Sequence, residues 1–352
     1  MENKQIIKIA VIDTSIDTKD EDLRGYYEII PEIQVNEIVY NNDEHGTLVC
    51  KTIVDICKDV LIYPINIFEN DGCTSSLKLL QALKKLLDYD VKLINISAST
   101  INQKYRNDIC EVCDRLTQQG KIILSAKHKY DEENMCIPAT FECVIGVDGN
   151  DNIYNNDEYT YNKNEKIQMC VNTKEIFIKY KDGVTHFGKS SKGCAIATGI
   201  VANMLKKNNN LSYYEMEKEL ISDAVLELKD SYLKRIKKVM LNELKKDKLN
   251  NMSNISEVTG VNNPDYKIEY IEYGIKKVMK ENFNNISNLD NIRNMNIIYD
   301  CALVRRDNIS ILIEKINEFF RIEIDCLDFL LEEISDFELL KLIIYVHLYC
   351  NV

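Results

Sequence analysis

VLIYPINIFENDGCTSSLKLLQALKKLLDYDVKLINIS (60–97) joins two apolar runs through a helical pattern. In VLIYPINIF (60–68) and VKLINIS (91–97) large apolar residues follow one another with little polar alternation, so both read as buried strands. Between them, SSLKLLQALKKLLDYD (75–90) sets its leucines at helical spacing with lysines on the other face, an amphipathic helix. Two buried strands linked by a crossover helix are the signature of a parallel sheet.

The same alternation extends in both directions. IIKIAVID (6–13) reads as a strand and HGTLVCKTIVDICK (45–58) as a helix. A helix is expected over about 104–119, followed by strands at KIILSAK (121–127) and ECVIGVDG (142–149). Residues 150–190 are polar and irregular, with hairpin segments expected at 167–180. CAIATGIVANMLKK (194–207) is a helix of small residues suited to close packing. The class is α/β, a parallel sheet flanked by helices. Beyond it, Ser212-Tyr213-Tyr214-Glu215 is a capping box that opens a further helix, and a basic helix is expected over about 231–248. A linker spans 245–265, after which the pattern is helical and acidic. The expected division is therefore 1–210, a helical extension 211–250, a linker 251–264 and a small helical domain 265–352.

The 352 residues carry 56 acids against 44 Lys and Arg, a net charge of −12. That balance argues against nucleic acid, whose phosphates need a basic footprint. No apolar run is long enough to span a bilayer, and the N-terminus lacks the apolar core of a signal peptide. With 12 cysteines and no export signal, a reducing cytoplasm is the expected compartment. Cys110 and Cys113 form a CxxC, but within a helical pattern, and no second pair completes a zinc site.

Three pieces carry chemistry. Asp13 ends the first strand, at the carboxyl edge where parallel α/β sheets place their sites. His45-Gly46-Thr47 opens a helix after a polar loop, and Gly46 allows close backbone approach. Lys192-Gly193-Cys194-Ala195-Ile196-Ala197-Thr198 opens the small-residue helix, whose first N–H groups could stabilise an oxyanion.

In this order, and on this scaffold, the three pieces resemble the subtilisin-like serine peptidases, over about residues 6–205. The resemblance implies a subtilisin-like fold, a peptide or protein substrate, and an Asp13–His45–residue 195 triad. It also implies a cleft lined by Asn95, Ser97, Ala98 and Ser99 and by Ser125, Ala126 and Lys127. Calcium is common in the family, but no Asp-rich loop points to it here. Aligned without gaps, Gly193 to Gly199 puts Ala195 in the nucleophile's place, and alanine cannot attack a carbonyl. The chain then reads as inactive, either through a Ser→Ala exchange or as a natural peptide-binding pseudoprotease. Retention of Asp13 and His45 favours the exchange. Cys194 is one residue off that register. His128 takes the place of the family's oxyanion asparagine, and an imidazole N–H could donate instead. The start close to the Asp13 strand leaves no room for a large pro-domain, which points to dedicated peptide processing.

The C-terminal part resembles an acyl or peptidyl carrier protein of four helices, through its acidic helices and the turn at Phe320, Ile322 and Ile324. Asn308 stands where that family carries its modified serine, so no phosphopantetheine is expected. The acidic face could instead dock a protein, or the basic helix 231–248.

Overall fold

A computed structural model describes residues 5–36, 43–69, 71–225, 264–283, 296–297 and 308–349. They fall into two compact units: Met1–Thr173 with Gly188–Lys229, and Lys174–Phe187 with Asp230–Val352. The expected basic helix at 231–248 lies outside the described residues.

The first unit is built on a seven-stranded sheet. Its strands are β1 (Ile7–Asp13), β2 (Val60–Asn66), β3 (Leu93–Ile96), β4 (Ile122–Ala126), β5 (Ile145–Gly149), β6 (Thr160–Tyr161) and β7 (Met169–Val171). They lie in the order β2-β1-β3-β4-β5-β7-β6, and only β6 runs antiparallel to its neighbour. The helices are α1 (Glu44–Ile56), α2 (Ser76–Lys85), α3 (Arg106–Gln118), α4 (Lys189–Lys207) and α5 (Tyr213–Asp223). Ala10, Ile12, Ile94, Ile96 and Ile123 share a buried cluster with Leu79 and Leu83 of α2 and with Ile109 and Val112 of α3. Asn95, pointing to the opposite face because strand side chains alternate, meets α4.

Crossover helices return the chain to the start of each next strand, so every parallel strand ends at one edge. The expected strands appear within a few residues of their places, and Cys110 and Cys113 lie on α3. The Ser212–Glu215 capping box is formed in full at the start of α5. Two elements differ from expectation. α4 begins at Lys189, a full turn earlier than the apolar pattern suggests. The hairpin is β8 (Ile176–Tyr180) and β9 (Gly183–Phe187), further along the chain than 167–180. Its turn falls at Lys181-Asp182 before Gly183, a turn signal flanked by alternating residues.

Among the described residues of the second unit, the hairpin accompanies four helices: α6 (Pro264–Asn282), α7 (Ile309–Phe320), α8 (Leu331–Ser335) and α9 (Phe337–Tyr349). One apolar core holds Phe177, Ile271, Ile275, Leu312, Ile316, Phe320, Leu340 and Ile344. Arg321, in the left-handed region at φ 56°, ends α7. Asn317 then brackets the following turn, its amide nitrogen donating to Ile324 O at 2.8 Å and its oxygen accepting from Ile324 N at 3.0 Å. Asn308 precedes α7 without a side-chain capping bond. The expected division at 210 and 265 thus misses that residues 174–187 belong to the helical unit.

Candidate active site

β1 delivers Asp13 to the carboxyl edge of the sheet, where it is buried at 1% exposure. Its Oδ1 accepts the Thr14 N–H at 2.6 Å and lies 2.7 Å from His45 Nδ1. The approach of α1 that makes this pair possible depends on Gly46. A Cβ there would sit 2.5 Å from Ser15 O and 2.7 Å from Thr14 O. Gly46 N–H instead donates to Thr14 Oγ1 at 2.8 Å, and Thr47 Oγ1 accepts from Asp17 N at 2.7 Å. Strand end and helix start are therefore stitched together around the Asp–His pair.

The His45 side chain keeps 43% of its surface exposed. Burial is the largest influence on its ring and favours the neutral form. The Asp13 carboxylate, through its charge and its hydrogen bond, together with Glu44, outweighs burial and holds the imidazole pKa above its ordinary value. With Nδ1 turned to Asp13, Nε2 is the acceptor nitrogen of the neutral ring.

The position of α4 against α1 decides what faces His45. α4 starts beside the strand ends: Lys189 N–H donates to Thr173 O at 2.8 Å and Ser190 Oγ to Lys127 O at 2.7 Å. It finishes near the strand starts, where Lys206 pairs with Asp59, just ahead of β2. α1 runs the same way, from beside Asp13 to the turn before β2, so the two helices are parallel. They touch closely where a Cβ on Gly199 would lie 2.5 Å from Ile56 Cβ, and Asn203 Nδ2 donates to Ile56 O at 2.8 Å. Parallel helices rise equally per residue. The span from His45 to Ile56 is matched by Gly188 to Gly199 and by Lys192 to Asn203. His45 is therefore level with the first turn of α4, which carries Ser190 and Ser191.

Ala195 sits a turn deeper, at 0% exposure, beside Cys194 and Ile196 that are also fully buried. That burial speaks against the gap-free placement of the nucleophile at 195. Cys194 offers no substitute. It is fully buried, accepts from Asn95 Nδ2 at 3.3 Å, and burial pushes its thiol up to about 12. Ser190 and Ser191 are half-buried. Ser190 spends its hydroxyl proton on Lys127 O, whereas the Ser191 hydroxyl has no hydrogen-bond partner among the described residues.

His128 follows Lys127 directly and is half-exposed. Its Nδ1 accepts from Tyr130 N at 3.3 Å, which in the neutral ring leaves the proton on Nε2 as a free donor. The expected cleft residues divide. Ser97, Ala98, Ser99 and Lys127 are partly exposed. Asn95, Ser125 and Ala126 are buried and cannot line a cleft. Asn95 ties the sheet to α4 instead, donating to Thr198 Oγ1 at 2.9 Å. Among the described residues no group of three or more His, Cys, Asp and Glu side chains could hold a metal ion. Nor is any described helix long and apolar enough to cross a membrane.

A family model described as "Subtilase family" matches residues 4–261. Among solved structures, a cold adapted subtilisin-like serine proteinase matches with a TM-score of 0.51 at 15% identity. That match covers 65% of this chain and 87% of the other, and at this identity it speaks for the fold alone. No curated protein matches the chain. The family match ends before α6, so the carrier-like reading of the helical unit has no support from it.

Proposed function

The chain belongs to the subtilase family, and from that premise we propose that it is a serine endopeptidase whose nucleophile is Ser191. In this reading His45 Nε2 takes the proton of the Ser191 hydroxyl as its oxygen attacks the scissile carbonyl carbon. Asp13 holds the ring in the required tautomer and stabilises the imidazolium that forms. The negative oxygen of the tetrahedral intermediate is met by His128 Nε2–H and by a backbone N–H in the first turn of α4. His45 then protonates the leaving amine, and water repeats the sequence to free the acid product and Ser191.

The observation that carries the reading is the level match of His45 with Gly188–Lys192 across two parallel helices. Ala195 becomes a packing residue of α4, and the chain is a working enzyme rather than an inactivated one. We further read the role as dedicated processing of a peptide or protein in the cytoplasm. Support is the fused helical unit and the ten free thiols among the described cysteines. Docking of a partner on the acidic helical unit is part of the same proposal.

Hydrolysis of a peptide library together with fluorophosphonate labelling tests the assignment. Ser191→Ala should abolish both, and Ala195→Ser should leave both within about twofold. Label on Ser190, or full activity in Ser191→Ala, would overturn the choice of nucleophile. An unlabelled, inactive native chain that still binds peptides would favour a pseudoprotease.

A further inference from the structure

The hairpin β8–β9 leaves the sheet unit after Thr173 and returns to it at Gly188, next to the first turn of α4. Within the helical unit it is held firmly. Phe177 is buried in the core with Ile271, Leu312 and Phe320, and Val184 packs against the same cluster. Ile176 bridges to Leu330, Leu331 N–H donates to Glu175 O at 2.9 Å, and Lys174 Nζ lies 3.1 Å from Glu332. Both hairpin strands therefore contribute to the core of a unit that lies mostly at the other end of the sequence.

The hairpin's return is short and conformationally demanding. Phe187 is buried and Gly188 is extended. Lys189 then adopts φ 62°, a left-handed conformation disfavoured for a residue with a Cβ, before Ser190 and Ser191. The Lys189 N–H bond to Thr173 O closes the base of the hairpin at that same residue. A strained residue persists only when its surroundings fix it on both sides. On one side stands α4. On the other stands a hairpin whose own fixation is the apolar core of the helical unit.

We propose that this hairpin makes the C-terminal helical unit part of the catalytic scaffold, with Phe177 the positioning residue that holds the start of α4, and hence Ser191, in place. The proposal rests on the reading of Ser191 as nucleophile. It assigns the helical unit a role in every turnover, including turnover of peptides too short to reach a docking surface. A partner bound to the helical unit that altered the seating of Phe177 would then alter the reactivity of the serine.

The test compares the full chain with its Phe177→Ala, Phe177→Leu and Lys174→Ala variants on one short fluorogenic peptide. Alongside, amide hydrogen exchange is read at residues 188–192. Phe177→Ala should lower kcat by about tenfold or more with KM within about twofold, and speed exchange of the Lys189 amide about tenfold. Exchange in β1 and β3 should not change. Phe177→Leu, which refills most of the pocket, should recover most of both effects, and Lys174→Ala should show both weakly without risk to the core. Unchanged kcat and unchanged exchange at 188–192, in a Phe177→Ala chain whose α6–α9 amides have lost protection, would overturn the proposal. So would a uniform rise in exchange across the sheet, which signals general destabilisation. If labelling shows that Ser191 is not the nucleophile, the exchange comparison still decides whether the hairpin holds the start of α4.

Discussion

At the scale of single residues, the chemistry turns on how Asp13 sets the charge of His45. The buried carboxylate holds the imidazole pKa above its ordinary value, and only the neutral ring can accept the serine proton. The rate should therefore rise with pH through an apparent pKa above the ordinary ~6.5 of histidine. Asp13→Asn removes the charge that raises it, so the acidic limb should move to lower pH while the rate falls, on the order of 10⁴-fold as in the known triads. A pH series of kcat/KM checks the first effect, and NMR titration of the four histidines checks the shift directly. Lys192, beside the proposed nucleophile, gives a second residue-scale expectation. Burial alone pushes its ammonium down to about 8, at 1% exposure. Its folded pKa lies below the unfolded one, so the folded state binds fewer protons between the two values and stability rises with pH across that window. Below the folded pKa the buried charge costs stability in full, on the order of 3 kcal/mol. Lys192→Met should raise the melting temperature at pH 7, and the gain should shrink as pH approaches 10.5. A gain independent of pH would show that the effect is packing rather than charge.

Among the elements, the pair α1 and α4 matters most, because their relative height decides which side chain meets His45. Gly199 lets them close, and a valine there would drive its side chain into Ile56. Gly199→Val should cost about 1–3 kcal/mol through overpacking, read as a lower melting temperature, and should lower kcat by moving the start of α4 away from His45. Gly199→Ala should show both effects more weakly. The same pair explains how far sequence reading reaches. The sheet, its order of strands and helices, Asp13 and His45 are legible because periods of two and of 3.6 residues, with turn residues, encode them locally. Register along α4 is not encoded this way. A shift of four residues on a helix rotates a side chain by only about 40°, so position 195 and position 191 fall on nearly the same face. Ala195 and Ser191 then look equivalent in any local pattern. They differ in depth along the axis, and depth is fixed by the contact of Gly199 and Asn203 with Ile56, far away in sequence. On the proposed reading, the signal in the sequence is the serine pair Ser190-Ser191 just ahead of the Gly193–Thr198 run.

For the whole molecule, the two units share the chain in an interleaved way that composition and linker residues do not reveal. The acidic C-terminal stretch reads as an appended domain, separable after the polar run 245–265, and a docking role for it predicts that its loss spares the hydrolysis of short peptides. The hairpin argues the opposite. Phe177 and Val184 lie between β7 and α4 in sequence, yet they find their apolar surroundings among α6, α7 and α9. Removing residues 255–352 would leave those side chains without their core, in a hairpin that ends at Phe187, four residues before Ser191 in the chain. Exposing a buried Phe side chain forfeits about 1.5–3 kcal/mol of transfer free energy, and the strained backbone at Lys189 loses one of the two elements that hold it. The truncated chain should therefore cleave even a short peptide poorly, and should bind a hydrophobic dye more strongly than the full chain. Adding Phe177→Ser to the truncated chain should reduce the dye binding without restoring the rate, because solubility and positioning are separate functions of the same residue. A truncated chain with full activity on short peptides, and no excess dye binding, would return the helical unit to the status of a docking module.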